Sequence, residues 1–271
     1  MTKKGFLNLE KNTKSNQIKK SIISYFLNNG KNSISELAKE LDLSVPTVTK
    51  LINGMTEDGL ISDYGKVQTP EGRHPNVYGL NPTSAYFVGV DMTKHHLNIA
   101  LMDFNGDMVQ TKFGLLHTHE NTQESLHRLC NLIEDFINSV TPEIRDNIVN
   151  ISFNISGRVN PESGYSYSSF YFSEEPISSI LSKKLKHNVV IDNDTRAMAY
   201  GEYMKGVVGG QKNVIFINVS WGLGIGIIID GKVHYGKSGF SGECRNRIVG
   251  MQVWLFFAEF RNIYIETSPV S

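Results

Sequence analysis

Cysteine is scarce in this chain, with only Cys130 and Cys244 among 271 residues. Two thiols so far apart make neither a disulfide framework nor a zinc-ligand spacing, and a reducing compartment fits; no metal and no cofactor is expected. Cys130 lies in an apolar helical stretch and reads as a buried thiol. Long hydrophobic runs are missing as well. The most apolar stretch, residues 213–229, is broken by Asn218, Ser220 and three glycines, which favours two strands over a membrane span. Residues 1–20 are polar and do not read as a signal peptide, so the cytoplasm is the expected location and no membrane partner is expected. Net charge is absent too, at 27 Lys+Arg against 27 Asp+Glu, but the charges are unevenly placed. Residues 1–80 hold 11 basic and 8 acidic side chains, and the remainder holds 16 and 19. The first twenty residues carry six lysines and one glutamate, a pattern that suits either a solvated, frayed tail or an arm that touches DNA.

What is present starts with a 40% hydrophobic composition, enough for a globular core, and a length that allows two domains. Residues 34–60 then carry the strongest functional pattern. Ile34, Leu37, Ala38 and Leu41 fall at i, i+3, i+4 and i+7, the apolar face of one helix. Asp42-Leu43-Ser44 make a short break, Ser44 can cap a second helix, and Pro46 sits early in it, where a missing N–H costs little. Val45, Val48, Leu51, Ile52 and Met55 are expected to form the buried stripe of that helix. Ser44 at its start and Pro46, Thr47, Thr49, Lys50 and Asn53 on the opposite face suit base edges and phosphates in a major groove. Gly59 can supply the left-handed residue that stops the helix.

An ordinary helical hairpin would share this pattern, but the flanks favour DNA binding. Upstream, Ile22, Ile23, Phe26 and Leu27 mark a third amphipathic helix. Downstream, Leu60-Ile61 and Asn76–Leu80 read as two strands around a wing, whose tip carries Lys66, Arg73 and His74. A winged helix-turn-helix in residues 1–80, with double-stranded DNA as partner, is the expectation.

Asn81-Pro82-Thr83 reads as a linker, after which strands take over. Ala85–Asp91, Leu97–Asp103 and Met108–Leu115 read as strands, the last two joined by an Asn-Gly turn. A helix over 122–139 would bury Leu126, Leu129, Ile133, Phe136 and Ile137. Asn147–Ile155 reads as a strand, Ile177–Lys186 as a helix, Asn188–Ile191 as a strand and Asp194–Lys205 as a helix. Val214–Val219, Leu223–Asp230 and Lys232–Tyr235 repeat the earlier order of strand, turn, strand, Asp-Gly, strand.

The helix-turn-helix, the wing Gly72–Tyr78 and the segments at 88–101, 153–160, 191–203 and 218–243 together resemble the ROK family (repressors, open reading frames and sugar kinases), in its repressor branch. The resemblance implies an α/β chain. An N-terminal winged helix-turn-helix would be followed by an actin-like (ribonuclease H-like), sugar-kinase-type lobe at 81–210 and the start of a second lobe at 211–271. It implies that Asp194 matches the carboxylate that serves as general base in the kinases, and that Glu243 matches a sugar-contacting glutamate. Asn193 would offer vicinal hydroxyls both a donor and an acceptor. Asp194 and Asn193 are also good helix caps. Gly157 and Arg158 are expected at the cleft edge, where Arg158 suits either an anionic sugar or an ordinary surface position.

The chain departs from the family at several points. The kinases place Gly-Gly-Thr after the first strand's aspartate, whereas Asp91 is followed by Met92-Thr93-Lys94-His95-His96. Without glycine, the backbone approaches phosphate less closely. The Gly222, Gly224 and Gly226 series suits a phosphate turn or merely close packing. Tyr171 stands near the place of a sugar-contacting asparagine. After Glu243, Arg245-Asn246 replace the family's Gly-His, and no Cys-x-Cys-Gly zinc segment follows. The second lobe is therefore expected to be incomplete, as in a truncated or frame-shifted product or a short form with another partner. The expected function is a non-enzymatic transcriptional regulator, a repressor of carbohydrate-use genes. It would bind DNA, form a homodimer and respond to a sugar or sugar derivative. A sugar kinase with an added DNA-binding domain, and a fragment that binds DNA without sensing, are the alternatives.

Overall fold

The computed structural model describes residues 9, 13–66, 75–219, 223–243 and, as backbone, 263–267. Its helices start where polar caps are available. Helix α1, Lys14–Asn29, begins as Thr13 Oγ1 accepts the Asn16 amide. Strand β1, Asn32–Ser33, leads into α2, Ile34–Glu40, where Ser33 Oγ accepts the Glu36 amide and donates to the Glu36 carboxylate, while the Ser33 amide donates to Asn32 Oδ1. A left-handed Asp42 (φ 51°) turns the chain into α3, Val45–Glu57, which Ser44 caps by accepting the Thr47 amide at 3.4 Å. Gly59 (φ 76°) then lets it stop. Strands β2, Ile61–Lys66, and β3, Asn76–Leu80, pair antiparallel, and β1 adds to β3, giving the sheet order β1-β3-β2.

Beneath α3 the packing is apolar. Val48, Ile52 and Met55, at i, i+4 and i+7, are fully buried with Ile22, Leu37 and Leu60. Val45 is a correction to the expected stripe, because it stands 48% exposed. Helical side chains lean toward the N-terminus, so the residue at the first helical position projects past the helix end and off the core. The same core extends to Ala85 and Phe104, beyond the winged helix in sequence.

A short 3-10 turn, Pro82–Ser84, precedes strands β4 (Tyr86–Met92), β5 (His96–Asp103) and β6 (Met108–Leu116). Helix α4, Gln123–Asn138, buries Leu126, Leu129, Ile133, Phe136 and Ile137. Cys130 on the same helix is buried, which pushes its thiol up to about 11. A short helix α5, Pro142–Asp146, precedes β7, Ile148–Ile155. Two short strands, β8 (Val159–Asn160) and β9 (Tyr165–Ser166), pair with each other. Helix α6, Ile177–Leu185, closes on a left-handed Lys186 and is followed by β10, Asn188–Asn193. The five-strand order is β10-β7-β4-β5-β6.

Helix α7, Asp194–Lys205, precedes β11 (Val214–Val219), β12 (Leu223–Ile229), β13 (Lys232–Val233) and β14 (Ile263–Thr267). These form the sheet β13-β12-β11-β14, antiparallel except for β14 on β11. Asp230 and Gly231, both left-handed, make the β12–β13 turn. The described residues divide into two compact units. One contains those of Met1–Val88, Ala100–Thr111 and Ile137–Asn150, and the other those of Gly89–Ile99, Lys112–Phe136 and Ile151–Ser271. Among the described residues, no helix is long and apolar enough to cross a membrane.

Candidate functional site

In the first unit, the outer face of α3 forms a shallow open depression lined by Val45, Pro46, Thr49, Lys50, Asn53, Gly54 and Glu57. Four of the expected DNA-contacting residues, Pro46, Thr49, Lys50 and Asn53, thus share one surface. Ser44 and Thr47 stand at the helix start with their hydroxyls 2.8 Å apart. Thr49 Oγ1 donates to the Val45 carbonyl at 2.8 Å, so its hydroxyl faces its own helix. Lys66 lies at the end of β2, whereas Arg73 and His74 fall outside the described residues.

The second unit gathers another set of polar groups around the start of α7. Asn193 caps that helix, its Oδ1 accepting the Arg196 amide at 3.0 Å. Its Nδ2 donates to the Gly157 carbonyl at 3.1 Å and to Glu243 Oε1 at 3.2 Å. Both amide hydrogens are thereby engaged within the protein, and the residue is only 6% exposed. One amide thus brings together three of the expected effector residues, Gly157, Asn193 and Glu243. Asp194 lies beside them, with Oδ2 accepting the Ser156 hydroxyl at 2.5 Å and Oδ1 accepting the Thr195 amide at 2.7 Å. Arg158 is exposed and lies 5.8 Å over the Phe240 ring. Tyr171 is 60% exposed on the surface.

Glycines set the backbone around these groups. Gly157 has φ 89°, and a Cβ there would fall 2.7 Å from Ser168 Cβ. Gly242 has φ 83°, and a Cβ would overlap the Ile225 carbonyl. The close approach permitted by Gly242 lets Ile225 N donate to Gly242 O at 3.1 Å and seats Glu243 opposite Gly224. Of the glycine series, Gly224 and Gly226 are explained by packing, because Cβ atoms would overlap Thr195 and Ala199 of α7. Gly222 lies outside the described residues.

Carboxylates dominate the electrostatics. Burial pushes the Glu243 carboxyl up, Arg196 draws it down, Asp194 raises it and Arg158 lowers it. Asp91 is also raised by burial, an effect opposed by the Asn98 amide 3.2 Å away and reinforced by Asp194. No cluster of three or more metal-binding side chains occurs among the described residues.

Sequence reasoning missed Arg196, the residue that organises this region. It is 1% exposed, with Nε and Nη2 on Asp192 Oδ1 at 2.8 and 2.7 Å. Nη1 donates to Gly239 O at 2.6 Å, and Nη2 also to Val159 O at 3.1 Å. Tyr235 covers the guanidinium at 5.4 Å and donates to Asp192 Oδ2 at 3.4 Å. The i, i+4 pair Asp192–Arg196 was the available signal, but helical spacing alone suggests a surface pair worth little.

These features define a class: a winged helix-turn-helix joined to an actin-like, sugar-kinase-type α/β fold. The ROK family profile matches residues 87–245 and a winged helix-turn-helix DNA-binding profile matches residues 15–62. The chain belongs to the ROK family. It is 28% identical over 233 residues to a xylose repressor of Caldicellulosiruptor bescii, covering 85% of this chain and 58% of that protein. It is 27% identical over 211 residues to the DNA-binding transcriptional dual regulator NagC of Escherichia coli, covering 77% and 51%. A solved ROK family transcriptional regulator, a homologue of the E. coli MLC protein, superposes with a TM-score of 0.66 at 25% identity, covering 84% of this chain and 58% of that one. A ROK glucokinase of Streptomyces griseus shares the fold with a TM-score of 0.52 at 24% identity, covering 61% and 51%. The chain therefore spans little more than half the length of these relatives.

Proposed function

We propose that this protein is a DNA-binding transcriptional regulator, acting as a repressor of carbohydrate-use genes, and that a sugar or sugar derivative modulates it without being phosphorylated. The observation that carries the reading is α3. It is locked onto its core by Val48, Ile52 and Met55 and offers Lys50 and Asn53 to a partner on its exposed face. The names of relatives, xylose repressor and NagC among them, support it. The division into 1–80, 81–210 and 211–271 assigns the reading head, the first lobe and the start of the second. Ser44, Pro46, Thr47, Thr49, Lys50 and Asn53 would meet DNA, with Arg73 and His74 of the wing beside them. Such a partner implies the compartment that holds the chromosome, the cytoplasm in a bacterium.

For the effector, Asp194 and Glu243 are the hydroxyl acceptors, and Asn193 holds Glu243 in place. Gly157 and Arg158 form the rim. Against phosphoryl transfer stands the turn after Asp91, where Met92-Thr93-Lys94-His95-His96 contains no glycine to let a backbone close on phosphate. Effector binding would change DNA affinity only through a difference in affinity for two states, the form of coupling expected of a dimeric repressor.

The test is retention of duplex fragments from a bacterial genome by the full chain, with and without D-xylose and N-acetylglucosamine. Fragments should be retained at low salt and lost as salt rises. Lys50→Ala should weaken retention and lower the salt slope by about one. Failure to retain any fragment at low salt would overturn the reading.

A further inference from the structure

Among the described residues of the winged helix two large apolar side chains are exposed, Val45 and Tyr64. Lys31 Nζ sits 3.5 Å over the Tyr64 ring and the Tyr64 hydroxyl donates to Leu80 O at 2.8 Å. Val45 has no such cover. It lies in a row with Thr49 and Asn53, spaced i, i+4 and i+8 along α3, so the three side chains follow one another on one side of the helix. Thr49 extends the apolar character of the row. Its hydroxyl donates to the Val45 carbonyl, so that hydrogen is already engaged within the helix and the half-exposed side chain has less polar capacity left for a partner. The row thus offers an isopropyl group, then a threonine whose hydroxyl hydrogen is engaged, then an amide, with Lys50 exposed alongside.

Two small aliphatic groups flanked by an ammonium and an amide are too little for the apolar centre of a protein interface. They match the size of one base substituent. The major groove presents a methyl on thymine alone of the four bases, and an amide such as Asn53 pairs with the adjoining edge of adenine. We infer that Val45 and Thr49 read the 5-methyl group of thymine, so that the site recognised by α3 contains an A·T step at that position. The inference rests on the DNA-binding reading above and adds a specificity-determining pair to it.

Deoxyuridine tests this cleanly, because it deletes the methyl and leaves pairing intact. Duplexes are selected from a random-sequence pool by the full chain, and each thymine of the selected duplex is replaced by deoxyuridine in turn. At least one position should bind about fourfold more weakly, the factor equivalent to about 0.8 kcal/mol for one buried methyl. Val45→Ala should weaken binding of the thymine duplex by a similar factor and abolish the penalty at that position. Thr49→Ser, which keeps the hydroxyl and drops the methyl, should reduce it. Tolerance of deoxyuridine at every position, or a penalty unchanged in both variants, would overturn the inference while leaving DNA binding standing. Selection of no duplex would overturn both.

Discussion

Helices α3 and α7 begin with the same device and use it differently. Each starts on a capping side chain, Ser44 in one case and Asn193 in the other. Ser44 is exposed, its hydroxyl meets Thr47 within the same helical turn, and the helix it caps turns a solvent-facing surface outward. Asn193 is buried, and its amide ties the helix start to Gly157 and Glu243. One cap completes a helix whose outer face stays open to solvent. The other is a joint that holds a site together from within. A capping residue carries the same local signature in both cases, while long-range partners decide whether its loss is felt by a single turn or also by segments far away in the chain.

Arg196→Ala should sharpen this contrast most. It removes a buried guanidinium that serves Asp192, Val159 and Gly239, and a loss of about 3 kcal/mol is expected in urea unfolding of the full chain. A loss below about 1 kcal/mol would mean that the second unit does not depend on this network. Next come the two caps. Ser44→Ala should cost about 1 kcal/mol, and Asn193→Ala about 2 kcal/mol, because it also leaves the Gly157 carbonyl unpaired. Equal costs by the same unfolding measurement would break the distinction between the two helix starts. The smallest effect carries the opposite sign. Gly54 sits inside α3 with a negative φ, and a Cβ there would meet nothing within 4 Å. Gly54→Ala should therefore stabilise the head by about 0.5–1 kcal/mol, seen as a raised melting temperature. A lowered one would show that this face packs against something in the free protein.

Much of the fold was legible beforehand because its signals are local. Helix α7 and strand β11 run over the residues expected from the pattern, Asp194–Lys205 and Val214–Val219. Buried Leu126, Leu129, Ile133, Phe136 and Ile137 follow the helical period of α4. The short strands β1, β8 and β9 were not legible, since two residues carry no period and exist only through a partner. Val45 was misplaced for a geometric reason. Periodicity assigns a face but does not register that a side chain at the first helical position points past the core. Asn193, Asp194 and Glu243 could be singled out by resemblance, but not the bonds that bring them together. Asn193 lies 50 positions from Glu243 in the chain, and nothing in either segment announces the bond between them.

By itself, the sequence determined the elements whose causes lie within a few residues. Polar caps start the helices, apolar periods choose their buried faces, and glycines permit the left-handed turns at 59, 157 and 242. Tertiary structure alone decided what depends on distant segments meeting. It buried Arg196 against the Val159 and Gly239 carbonyls, and it joined Phe104 to the core of the winged helix. It also engaged both amide hydrogens of Asn193. Burial and hydrogen-bond saturation are properties of a folded neighbourhood, and the order of residues along a chain does not contain that neighbourhood until the chain has packed.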